Sequence, residues 1–325
     1  MNYDNGILHA LRISPEGNST ALKVEEIDAV VKSEELTWVH LDLNEPECQQ
    51  WLGTRLKYLD SIIVEALLAE ETRPRIVEFD EGVMLILRGV NLNQDAQPED
   101  MVSIRLWVDQ YRIISVRRRR LKAVTDIKDR LERGKGPKNS GEFLAQLVSR
   151  LFERMEPVFS DLDEALDNIE EQVMETPDSS FRQGITTIRK QAIIFRRYIS
   201  PQRDVLSSLR TSDQPWLDLM HKRRLQESLD RVIRYVEEID TIRERAQIVK
   251  DELTNALSDK MNRNLYMLSV IAAIFLPLGF LTGLLGINVG GIPGADNPAA
   301  FLMFCLILVL VVGLQIALFK RLKWF

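Results

Sequence analysis

Cysteine and histidine are scarce in this chain of 325 residues, and their placement excludes much. The two cysteines are Cys48 and Cys305, the second inside an apolar run, so no disulfide is expected and a reducing cytosol suits the chain. The three histidines, His9, His40 and His221, are scattered, and none has a second His or Cys at metal-ligand spacing. A preformed zinc site is therefore not expected, nor any cofactor. No Walker loop, GxSxG elbow or HExxH helix is present, and no nucleophile pairs with a base in sequence. The chain does not read as an enzyme.

Charge is absent from one end. Between Arg263 and Lys320 the sole charged residue is Asp296. Within that stretch the run 265–285 has 21 uncharged residues, enough to cross a hydrocarbon core of about 30 Å. A second uncharged run, 298–319, follows after a short loop. Two such runs in succession read as two transmembrane helices. Lys260 and Arg263 precede the first span, and Lys320, Arg321 and Lys323 follow the second. The connecting loop 286–297 has no Lys or Arg, so the positive-inside rule places both termini in the cytosol and the loop outside. Trp324 and Phe325 suit an anchor at the inner surface, and the N-terminus carries no signal-like apolar stretch.

The remaining residues are highly charged. Removing the C-terminal membrane part leaves 39 basic against 47 acidic residues, a net −8. That balance disfavours nucleic acid as a partner and attracts cations, although solubility alone accounts for it. Residues 1–135 read as a cytosolic α/β domain, with strands at 7–13, 37–43, 76–79, 83–90, 102–108 and 112–116. Helices are expected at 46–57, 61–69 and 122–133. The cluster Arg117, Arg118, Arg119 and Arg120 reads either as a solvated face or as a cationic collar that faces anions. A Gly- and Lys-rich linker at 135–141 ends this domain.

Beyond it, 142–210 carries apolar residues at spacings of three and four. They predict two long amphipathic helices, the first bent at Pro157 and the second tolerating Pro201. Ser212, Asp213, Gln214 and Pro215 read as the start of a further helix. From 216 to the first breaker, Pro277, there is neither Gly nor Pro, so one helix of about 70 residues runs to 285, on the order of 105 Å. It must pack along its length against other helices or copies of itself.

Near the membrane this helix carries a stripe. Asn255, Ser258 and Asn262 recur at three and four, and the stripe extends back to Asp251. Forward it passes through Leu265, Leu268 or Ser269, Ala272, Leu276, Gly279, Gly283 and Gly286, ending near Asn288. Gly279 and Gly283 form a small-xxx-small pair, so a helix-packing or lipid-facing stripe is one reading. A pore wall is the other. Two spans cannot enclose an aqueous path, so a pore would lie on a symmetry axis between subunits. Asn288 offers an amide oxygen, and the flanking glycines let carbonyls turn to a common point, a setting for a hydrated divalent cation. Asp296 would add a ring of negative charge at the external mouth. A tight turn between spans is the alternative for the glycines.

These features together resemble the CorA metal-ion transporters. Gly286-Ile287-Asn288 stands where that family's signature usually reads Gly-Met-Asn, and the extended 286–294 segment, with 275–283 before it, looks like its zinc-transporting branch. The resemblance implies a funnel-shaped homopentamer in the cytoplasmic (inner) membrane, whose long helix lines the pore inside an outer ring of second spans. By position, Asn288 would form the external selectivity ring and transient metal contact. Leu276 and Leu265 would be constrictions, Asn262 an inner polar ring and Asp251 an acidic ring. The departure from Gly-Met-Asn favours zinc uptake over a magnesium or cobalt channel of the same architecture. The zinc branch resembles a proton-linked importer, yet the stripe has one carboxylate, Asp251, and no histidine to carry such coupling. A membrane-tethered scaffold without transport is the reading from another class.

Overall fold

The computed structural model describes residues 6–55, 59–70, 72–287, 292, 294 and 297–321, without the side chains of Asp28 and Arg55. Seven strands form one sheet: β1 (Ile7–Ile13), β2 (Ser19–Ala21), β3 (Thr37–Asp42), β4 (Arg75–Glu78), β5 (Gly82–Gly89), β6 (Val102–Asp109) and β7 (Arg112–Arg117). Their spatial order is β2-β1-β3-β7-β6-β5-β4. Only β3 and β7 run parallel, in register from Thr37 opposite Arg112 to Asp42 opposite Arg117. The central strands are buried on both faces, so Val, Ile and Leu run on without strict alternation.

Three short helices, α1 (Val24–Val31), α2 (Pro46–Arg55) and α3 (Ser61–Leu68), close one core with the sheet residues Ala10, Val39, Leu41, Ile86 and Trp107. Asp60 caps α3 by accepting from the Ile62 N–H at 2.9 Å. The two-turn α1 and the three-residue edge strand β2 were not expected. Their runs are too short to show a period.

The helices after the sheet are α4 (Lys122–Glu132), α5 (Ser140–Glu153), α6 (Glu156–Glu175) and α7 (Phe181–Thr211). Where one helix bent at Pro157 was expected, the chain breaks into α5 and α6. Pro157 has no N–H to give to Glu153 O, and it sits instead in the first turn of α6, where that donor is not needed. The connection 135–141 leads directly into packed structure. Asn139 caps α5 through the Glu142 N–H at 2.7 Å, the Ser140 hydroxyl donates to Gln110 O, and Phe143 meets the Trp38 ring edge-on at 4.8 Å.

The long helix α8 (Leu219–Leu285) has 67 residues and begins later than the 212–215 turn. Asp218 is its cap, accepting from the His221 N–H at 2.8 Å. Ser212 and Gln214 are used elsewhere, hydrogen-bonded to Glu78 and to Phe79 O of the β4–β5 hairpin. Two compact units result: Met1–Thr176 with Ser180–Asp251, and Pro177–Ser179 with Glu252–Phe325. In the second, α9 (Ala300–Arg321) joins the end of α8, and both helices are long and apolar enough to cross a membrane.

Candidate ion path along the long helix

In the first unit α8 has a buried stripe and an ionic seam. Leu225, Val232, Ile239, Ile242, Ala246 and Val249 are buried at spacings of three, four and seven. Phe159 of α6 stacks edge-on between Phe195 of α7, at 5.1 Å, and Tyr235 of α8, at 5.2 Å. Arg245 then gathers three carboxylates of α6: Asp163 at 3.0 Å, Glu170 at 2.6 Å, and Asp167. Those hydrogen bonds raise the guanidinium pKa, Asp167 contributing most. Asp163 is thus occupied by an arginine of this chain.

In the second unit the contact face of α8 is narrow. Val270 is buried, and Ala273, Ile274, Pro277, Leu278 and Leu281 are half-buried. The matching face of α9 runs through Phe304, Leu308, Val311, Val312, Gln315 and Phe319. Pro277 cannot donate to Ala273 O four residues earlier, so that carbonyl loses its helical partner inside an apolar segment. The Gln315 side-chain amide of α9 donates to it at 3.3 Å. The hydroxyls of this segment are satisfied locally: Ser269 donates to Leu265 O at 2.8 Å, and Thr282 to Leu278 O at 2.9 Å.

The span portion of the expected stripe lies on the other side of the helix. Asp251, Asn255, Ser258, Asn262, Leu265, Leu268, Ala272, Leu276, Gly279, Gly283, Gly286 and Ile287 are all exposed. At about 100° per residue, the span portion of this stripe, residues 265–286, is centred roughly 170° from the α9 contact face. Leu276 is 76% exposed, and a side chain added at Gly279 or Gly283 would meet nothing within 4 Å. Asp251 is held by the Gln247 amide, one turn earlier, at 2.9 Å. Asn288 and Asp296, proposed above for the external mouth, lie outside the described residues. Among the described residues no group of three or more His, Cys, Asp or Glu is placed to hold a metal. The sequence reading missed Gln315, although a proline in an apolar helix is itself the signal for a donor on a neighbouring helix.

Known proteins resemble this arrangement over its whole length. The family described as CorA-like Mg2+ transporter protein matches residues 33–321. A protein of Pectobacterium atrosepticum named zinc transport protein ZntB is 38% identical over 320 residues, covering 98% of this chain and 96% of its own. The divalent cation transporter CmaX of Pseudomonas aeruginosa is 38% identical over 324 residues, covering 99% of this chain and 97% of its own. The solved structure of the full-length CmaX protein matches with a TM-score of 0.86 at 37% identity, over 99% of each chain.

Proposed function

The chain belongs to the CorA-like transporter family, a family of divalent cation transporters and not of enzymes, and from that premise we propose that it carries zinc into the cytosol through a pore shared by five copies. The observation that carries the reading is the exposed stripe of α8 from Asp251 to Gly286, whose span portion from Leu265 on is turned away from α9. Two spans per chain leave such a face either to lipid or to copies of itself. Small residues such as Ala272, Gly279 and Gly283 let those copies approach closely around an axis.

In this reading a zinc ion crosses as substrate, largely hydrated. Asn288 supplies neutral oxygens at the outer mouth, and Asp296 raises the local cation concentration there. The ion then passes the constrictions Leu276 and Leu265 and meets the neutral polar groups of Asn262, Ser258 and Asn255 before Asp251. Neutral oxygens and waters leave the ion free to depart, whereas thiolates or imidazoles would hold it. Both termini lie in the cytosol, as the cations flanking the spans require. Residues 216–285 act as the pore helix, 298–319 as the outer span, and 1–210 as the cytosolic part.

A magnesium channel of the same build is the second reading, favoured by the family's own description. The deciding experiment is zinc entry into proteoliposomes, with excess magnesium as competitor and a pH gradient imposed or collapsed. Zinc flux indifferent to magnesium is expected. Suppression by magnesium selects the second reading, and no flux of either ion removes both. A rate that follows the gradient adds proton coupling.

A further inference from the structure

The arginine cluster at the end of β7 has no part in the proposed ion path, and its members diverge. Arg117 faces Asp42 at 3.7 Å, and Arg120 reaches the Thr125 hydroxyl at 3.4 Å. Arg118 and Arg119 line a cavity of about 430 Å³ together with Arg88, Arg105 and Arg197. Four separate parts of the first unit bring these groups together. Arg88 and Arg105 project from one face of neighbouring strands, where Arg88 stands opposite Ser103 and Ile86 opposite Arg105. Arg118 and Arg119 come from the β7–α4 connection, and Arg197 comes from α7.

Arg88 is fully committed. It donates to Thr72 O at 2.8 Å, to the Thr72 hydroxyl at 2.7 Å and to Met101 O at 3.0 Å, and it lies 4.0 Å over the Tyr198 ring. It is a fixed positive wall. Arg105 is not committed in this way. It is 1% exposed, and only its Nη2 has a partner, Ala69 O at 2.8 Å. Its buried Nε and Nη1 have none. Unpaired guanidinium donors in the interior are costly. Burial, then Arg118, then Arg88 push the Arg105 pKa down to about 10.

Three carboxylates line the same cavity without resolving this. Glu99 accepts from the Gln191 amide with both oxygens at 3.2 Å. Glu70 is 92% exposed and only 4.0 Å from Arg118. Asp100 is paired with none of the five arginines, and Arg119 and Arg197 have no carboxylate at ion-pair distance, among the described residues.

We propose that this cavity binds a phosphate-class oxyanion, which gives the Arg105 fork the acceptors it lacks and is held by Arg118, Arg119 and Arg197. Guanidinium groups match the paired oxygens of a phosphate, and a compact dianion answers the surplus of fixed positive charge better than a single carboxylate. The volume admits either a free phosphate or the phosphate end of a mononucleotide.

The test is calorimetric titration of the full-length protein in detergent with inorganic phosphate and with AMP, at constant ionic strength set by chloride. Saturable binding is expected, weakened about tenfold or more in R118A/R119A, whose side chains are exposed. R105M should abolish it, and if that variant misfolds the double variant decides. AMP binding about tenfold tighter than phosphate identifies a nucleotide, and equal affinities identify the free ion. No heat from either ligand, as when a neighbouring copy's carboxylate fills the cavity, overturns the proposal. So does binding that R118A/R119A leaves unchanged.

Discussion

The Gln315 amide donates to Ala273 O at 3.3 Å, and Ala273 is the residue whose carbonyl Pro277 leaves without a donor. The proline and the glutamine thus form a compensated pair across two helices. Replacing Gln315 by Leu should destabilise the α8–α9 pair by about 0.6–1.7 kcal/mol, the range for polar contacts between membrane helices. Pro277→Ala restores the helical donor, so the cost of Gln315→Leu should largely vanish in that background. Thermal denaturation of the four proteins in one detergent makes the cycle, and equal costs in both backgrounds would refute the pairing.

Asn288→Ala should abolish zinc entry or reduce it severely while the protein keeps its oligomeric state. Flux into proteoliposomes, with size-exclusion chromatography as control, is the measurement. Undiminished flux removes the asparagine from the mechanism.

Arg245→Ala leaves Asp163, Asp167 and Glu170 crowded along one face of α6 without the arginine that joins them across the α6–α8 seam. The arginine is 33% exposed, so solvent screens the network. A loss of about 1–2 kcal/mol is expected, smaller at high salt. A melting temperature unaffected by the substitution at low salt would show that the seam contributes packing alone.

Acid should weaken the first unit through its buried histidines. Burial first, then Lys128 and Arg117, hold the His9 pKa at about 3, below its ordinary 6.5. Burial, then His9 and Arg117, hold His40 well below that value too. Each takes up a proton on unfolding but not in the folded state, so stability is full above about pH 6.5 and falls as pH drops towards 3. The slope is about 1.4 kcal/mol per pH unit for one histidine. His9→Gln should flatten the fall in melting temperature between pH 7 and 5, and an unchanged slope assigns the acid sensitivity elsewhere.

Much of this molecule was legible from composition and period. The charge-free run 265–285 announces a span because a core helix of a soluble protein rarely runs that long, and the absence of Gly and Pro from 216 to 276 announces one uninterrupted helix. Period misled at Pro157. The apolar spacing there is continuous across what are two helices, because both bury the same side, and only the missing N–H breaks them. Short elements such as β2 and α1 carry too few residues for any period to emerge.

The sequence by itself determined the two spans, the long helix and the stripe from Asp251 to Gly286, since each rests on local repetition along one segment. Tertiary structure alone decided which carbonyl Gln315 serves, which carboxylates Arg245 gathers, and that Arg105 and Arg118 share a cavity. Those relationships join residues distant along the chain, and chain spacing carries no information about them until sheet register and helix packing bring them within a hydrogen bond's reach.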